Sequence, residues 1–167
     1  MQPISMKQAI YLFSALVLTR SAFAFEVDTF KSGQSKEQVK EALKSYTFDK
    51  VQDFSAQTLI AYDQPEKGSN RQFVFDFCND KLVGFQQEMA PSPRNLMIII
   101  NSYLTKYGQP FKVNAGSNVT SIGDKNELGL YWRKGLDIVG LKYIVTQPIE
   151  QLLLQYDVSN NCWQTPR

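Results

Sequence analysis

The chain contains no histidine. That absence removes the Ser-His-Asp and Cys-His nucleophile arrangements and every zinc site built on imidazole. Cysteine is nearly as scarce. Cys78 and Cys162 are too few for a four-thiolate metal site, and without a histidine base neither reads as a nucleophile. The Gly-x-Gly-x-x-Gly and P-loop patterns are also missing, so no nucleotide cradle is expected. The sequence therefore predicts a protein with no catalytic residue, no metal site and no cofactor. A bias of charge is lacking as well. Lys+Arg number 18 against 16 Asp+Glu, and Lys7 and Arg20 near the N-terminus account for the difference. A chain this close to neutral gives no electrostatic footprint for nucleic acid and no polybasic membrane patch.

What is present at the N-terminus reads as an export signal. Lys7 supplies a positive region, Ala9 to Leu18 an apolar run too short to span a bilayer, and Ala22-Phe23-Ala24 a small-residue cleavage site. Residues 1–24 are expected to be removed, with the initiator at Met1 or Met6, so that the mature chain begins at Phe25. An uncleaved membrane anchor is the alternative. No cysteine follows the cleavage site, so no lipid anchor is indicated, and no stable membrane insertion is expected after cleavage. The expected location is periplasmic or secreted. In that compartment two cysteines predict a Cys78–Cys162 disulfide. Closing so long a loop is worth roughly 4–5 kcal/mol in the chain-entropy model.

Residues 25–167 read as one α+β domain, or as two similar halves, 25–90 and 91–167. The first helix is announced by Ser35 with Gln38 three residues on, a capping box, and by Val39, Ala42, Leu43 and Tyr46 at helical spacing. The second runs from the cap Ser92 and Pro93 to Tyr107, with Gly108 and Pro110 beyond. Strands are expected at Thr58–Tyr62, at Gln72–Cys78 and Leu82–Met89 around an Asn79-Asp80 turn, and at Glu127–Trp132, Asp137–Val145 and Gln151–Val158. Asp49 to Ser55 is polar and ambiguous. Residues 63–70 and the Gly/Ser/Asn-rich stretch Asn114 to Asn126 read as loops, the latter with room for a short strand at Val119 to Ile122. Ser35, Val39, Leu43, Ser45 and Tyr46 recur as Ser92, Leu96, Ile100, Ser102 and Tyr103, and Asp76–Leu82 resembles Asp157–Trp163. Either a helix-plus-hairpin unit is repeated, or capped helices and hairpins share such patterns by chance. In both cases the expected architecture is an antiparallel sheet with the two helices packed on one face and the other face open.

The run Gly33-x-Ser35-x-x-x-Val39-x-x-x-Leu43 resembles the first-helix motif of the SmpA/OmlA envelope proteins and of the wider β-lactamase-inhibitor-protein-like fold. In that group the motif continues to Gly-x-Pro after the helix. Here Gly108-Gln109-Pro110 supplies it after the second helix, and the lipoprotein cysteine of the SmpA/OmlA group is absent. The resemblance implies an exported, non-enzymatic protein that binds another protein.

Alternation along the strands sends Asp76, Gln155 and Asp157 to the open face. Lys142 interrupts an apolar strand, and one of the adjacent Tyr131 and Trp132 must leave the core. Tyr131, Lys142, Gln155, Asp157 and Asp76 are therefore the expected partner-binding residues, since exposed aromatic side chains concentrate where proteins meet. The function so read is an envelope accessory or inhibitor-like binding module. The alternatives are a periplasmic immunity protein against a toxin, a hydrolase using Asp76 and Asp157 as paired carboxylates, and a small-ligand carrier with a cavity between helices and sheet.

Overall fold

The structure, a computed structural model, describes residues 25–64 and 71–163 apart from 122 and 136. The expected signal peptide, and nearly all of the expected 63–70 loop, lie outside these residues. The chain forms β1 (Glu26–Val27), β2 (Phe30–Lys31), α1 (Lys36–Leu43), β3 (Lys50–Asp53), β4 (Thr58–Tyr62), β5 (Gln72–Cys78), β6 (Lys81–Met89), α2 (Pro93–Tyr107), β7 (Lys112–Thr120), β8 (Gly123–Lys134), β9 (Asp137–Thr146) and β10 (Ile149–Asp157). Strands β3 to β10 build one eight-stranded antiparallel sheet in the order β3-β4-β5-β6-β10-β9-β8-β7, while β1 and β2 form a separate hairpin.

This corrects the expected α+β class. Strand accounts for 53% of the described residues and helix for 18%, so the protein is mostly β. The physical reason lies in two stretches of weak local signal. Lys50–Asp53 and Lys112–Thr120 are polar and poor in β-branched residues, yet both pair fully with a neighbour, β3 with β4 and β7 with β8. Ladder hydrogen bonds override their propensity. The helices do not make a layer of their own. Each contributes two buried residues, Val39 and Leu43 from α1 and Ile99 and Tyr103 from α2. The β1–β2 hairpin adds to the cover, as do Tyr46 and Phe48 after α1, whose rings pack on Phe73. Phe30 is 1% exposed, and its ring centroid lies 4.8 Å from that of Phe75 and 5.4 Å from that of Phe85.

The core face of the sheet follows from alternation and register. Phe75 pairs with Leu59 on one side and Phe85 on the other; Phe85 pairs with Tyr156, Tyr156 with Val139, and Val139 with Trp132. All six side chains belong to the buried cluster that Val39, Leu43, Ile99 and Tyr103 also enter. Local capping sets the helices as the sequence predicts. Ser35 Oγ accepts from the Gln38 N–H while Gln38 reaches back to the Ser35 N–H, and Ser92 Oγ accepts from Asn95. Trp132 Nε1 donates to the Gly108 carbonyl at 2.8 Å, which ties the end of α2 to β8. Tyr103 and Tyr156 share a hydrogen bond of 2.5 Å between their hydroxyls beneath the same helix, and burial raises the titration of both phenols.

Cys78 and Cys162 form a disulfide, with Cα atoms 5.6 Å apart. It fastens the segment after β10 to the end of β5. Among the described residues no helix is long and apolar enough to cross a membrane.

The two halves resemble each other in element order, each being a helix followed by a four-strand meander, and the meanders meet where β6 pairs with β10. The second echo read from the sequence has no structural counterpart. Asp76–Leu82 turns from β5 into β6, whereas Asp157 ends β10 and residues 158–163 form no strand.

Candidate functional site

No helix among the described residues lies on the second face of the sheet, and the strand registers place all five expected partner-binding residues there. Asp76 on β5 pairs with Gly84 on β6, and Gly84 pairs with Asp157 on β10, so the two aspartates stand either side of a glycine. A Cβ on Gly84 would sit 3.1 Å from Asp76 Cβ and 3.6 Å from Asp157 Oδ1. An added side chain would press on Asp76 and touch Asp157, so the glycine gives both carboxyl groups room above β6.

Both carboxyl groups are half-buried and titrate above the ordinary range. For Asp76 the cause is burial, partly offset by the hydrogen bond Thr58 Oγ1 donates at 2.9 Å. Asp157 is pushed up to about 6, chiefly by burial and further by the charge of Asp76. The 2.7 Å hydrogen bond from Gln155 Nε2 and the charge of Lys142 oppose that rise. Gln155 Oε1 is buried without a hydrogen-bond partner among the described residues. It faces the same crowded row and can accept a proton-bearing group.

Tyr131 lies on this face too, but not as a projecting anchor. It is 6% exposed. Gly140 is its partner across β9, and Gly129 precedes it by two residues on the same side of β8. A Cβ on Gly129 would fall 3.0 Å from Tyr131 Cε2, and one on Gly140 would fall 3.4 Å from the near ring edge. The ring is laid flat in a trough made by two glycines. Burial, and the charges of Glu127 and Asp157, keep its phenol protonated beyond the usual range. Trp132, its neighbour, takes the core side at 1% exposure. Lys142 pairs with Gly129 and Leu153 and is half-buried. The structure therefore gathers Asp76, Asp157, Gln155, Lys142 and Tyr131 in the middle of one face, with Tyr131 as its floor.

A groove of about 560 Å³ opens on the same face toward β3. Ile60, Tyr62, Glu88 and Gln151 line it, and Phe54 and Ile149 stand at its margins with 72% and 54% of their surface exposed. Glu88 is buried on the groove floor, its carboxyl raised by burial and steadied by a long 3.4 Å hydrogen bond from Gln151. The sequence reading did not find this groove. The only local signal was the alternation of Ile60 and Tyr62 with buried Leu59 and Ala61, and the concavity depends on five strands at once. A smaller cleft, about 270 Å³, lies at the other end of the sheet, where Phe25, Lys106, Tyr107, Lys134, Asp137 and Asp157 meet.

Among the described residues no three potential metal ligands come together. The arrangement offers instead a paired carboxyl that exchanges a proton near pH 6, a lysine, an amide oxygen in need of a donor and, farther along the same face, a groove of mixed apolar and polar lining. Comparison with protein-family models, with curated proteins and with solved structures finds no match.

Proposed function

We propose that the protein is an exported, non-enzymatic binding module that receives another protein on the helix-free face of its sheet. The observation that carries this reading is the groove on the same face as the Asp76–Asp157 pair, with Asp63, Arg71 and Glu88 among its lining. Phe54 and Ile149 are large, apolar and exposed at its margins, on a face that no helix shields. Apolar anchors in a concavity with charged groups beside them are the usual composition of a partner site. The disulfide supports export, because such bonds persist in oxidising compartments. The resemblance of Gly33–Leu43 to the SmpA/OmlA and β-lactamase-inhibitor-protein-like group points to the same kind of activity. An envelope accessory factor, an inhibitor and a periplasmic immunity protein all fit this description, and the identity of the partner separates them.

The test is site-specific photo-crosslinking in the periplasm. A photoreactive residue at Ile149 should yield a discrete protein adduct that Phe54→Ala diminishes, and one at Met97 on α2 should not. Equal adducts from both positions, or none from Ile149, would remove the proposed face. A second reading, a carboxylate-dependent hydrolase, has the Asp76–Asp157 pair in its favour. It requires a glycoside-cleaving activity that the Asp76→Asn/Asp157→Asn double variant abolishes.

A further inference from the structure

Strand β7 ends the sheet. It is hydrogen-bonded to β8 on one side, and no described element lies against its other edge. Every residue from Val113 to Ser117, and on to Val119, is exposed, with Val113 at 56% and Val119 at 87%. Natural sheets normally protect such an edge with charge, proline, a bulge or shortness. Residues 113–120 carry no charge and no proline. The strand is nine residues long and keeps unbroken register with β8 from Lys112 to Thr120. The opposite edge, β3, is four residues long and ends in Asp53, which lysines 36 and 40 contact at 3.2 and 3.0 Å. The two edges are thus treated differently, and β7 is the one left ready to pair.

The sequence of β7 indicates what it pairs with. Val113-Asn114-Ala115-Gly116-Ser117-Asn118-Val119 reads nearly the same in both directions about Gly116. A two-fold interface requires that if residue i meets residue j of the partner, j also meets i. An antiparallel pairing of β7 with itself, centred on Gly116, satisfies this at every position. Val113 stands opposite Val119 twice, Asn114 opposite Asn118 twice, Ala115 opposite Ser117 twice, and Gly116 opposite Gly116. Alternation puts Val113, Ala115, Ser117 and Val119 on one face and Asn114, Gly116 and Asn118 on the other. Apolar meets apolar and amide meets amide, with no like charges opposed. Centring on Ala115 sets Val113 against Ser117 and Asn114 against Gly116, and centring on Ser117 sets Val119 against Ala115 and Asn118 against Gly116, while in each case the other valine falls opposite a residue beyond the end of β7. A built Cβ on Gly116 touches nothing within 4 Å, so no described group crowds the face of the strand at its centre.

We propose that β7 is a homodimerisation edge, through which two copies join their sheets into one continuous antiparallel sheet about a two-fold axis at Gly116. This does not depend on the partner face. The β7 edge is seven strands from the groove wall at β3, so each copy keeps its groove free.

The test is the mass of the protein in solution across a concentration series, by sedimentation velocity or light scattering, on the mature disulfide-bonded chain. The wild type should be a concentration-dependent dimer. Val113→Lys/Val119→Lys sets lysine against lysine at two places and should weaken the dimer at least about tenfold. Val113→Lys/Val119→Glu sets opposite charges in the same two places and should restore it. Circular dichroism and melting of each variant show that it has folded. A wild type that stays monomeric at high concentration overturns the proposal. So does a dimer indifferent to both double variants, which would use another surface, and so do open-ended assemblies, which would indicate head-to-tail pairing of β7 with β3.

Discussion

Replacing Asp157 with asparagine should make the protein more stable at neutral pH. The carboxyl ordinarily titrates at 3.8 and here is pushed up to about 6, mainly because it is buried beside Asp76. Between those two values the folded state holds a proton that the unfolded chain has released. Stability therefore falls as pH rises from about 4 to about 6, and the deficit is complete above the folded value. A displacement from 3.8 to about 6 corresponds to about 3 kcal/mol. Asparagine keeps an oxygen to accept the Gln155 Nε2 hydrogen bond but carries no charge, so most of that deficit should be recovered. For a domain of this size a gain of 1–3 kcal/mol raises Tm by roughly 3–10 °C. The assay is a pair of melting series, wild type and Asp157→Asn, from pH 4 to pH 8. The variant should gain steadily above pH 4.5 and match the wild type near pH 4. A difference between variant and wild type that is the same at every pH would show that Asp157 titrates alike in the folded and unfolded chain, and the burial argument would fail.

Asp76→Asn should shift the Asp157 titration toward 3.8, read from its carboxyl carbon by NMR, because one repelling charge is gone. Gly129→Ala should cost about 1–3 kcal/mol in urea unfolding, since its Cβ meets the Tyr131 ring at 3.0 Å, and adding Tyr131→Ala should cancel part of that cost. Reducing the Cys78–Cys162 bond, which spans 84 residues, should lower stability by up to about 4–5 kcal/mol, seen as a lower melting temperature in dithiothreitol and absent in Cys78→Ser/Cys162→Ser.

The parts of the fold that were legible in the sequence are those specified by neighbours in the chain. Ser35 and Gln38 cap a helix three residues apart, Ser92 and Pro93 start another, and Phe73, Phe75 and Phe77 alternate within one strand. Each signal fits inside a single turn or hairpin. The class was misjudged because those local signals favour helices, while two strands have almost none. Asn114, Gly116, Ser117 and Asn118 are loop formers by propensity, and only the ladder to β8 makes them a strand. The site shows the same division. Alternation placed Asp76, Gln155 and Asp157 on the outer face, and the registers bring them there together. It could not show that Gly84 separates the two aspartates, or that Gly129 and Gly140 open a bed in which Tyr131 is buried, because those contacts join strands far apart in sequence. Phe54 and Ile149 were passed over for the same reason, since the groove between them exists only once five strands have curved together.

On the proposal made above, the helix-free face, and not the helical side, meets the partner. Titration of the partner recovered by crosslinking decides it, with binding measured for Phe54→Ala/Ile149→Ala and for Met97→Ala/Ile98→Ala, the second pair chosen because those helix residues are equally exposed at 56% each. The first pair should weaken binding at least about tenfold, as expected for loss of apolar anchors, and the second should leave it unchanged. The reverse order would contradict the proposal.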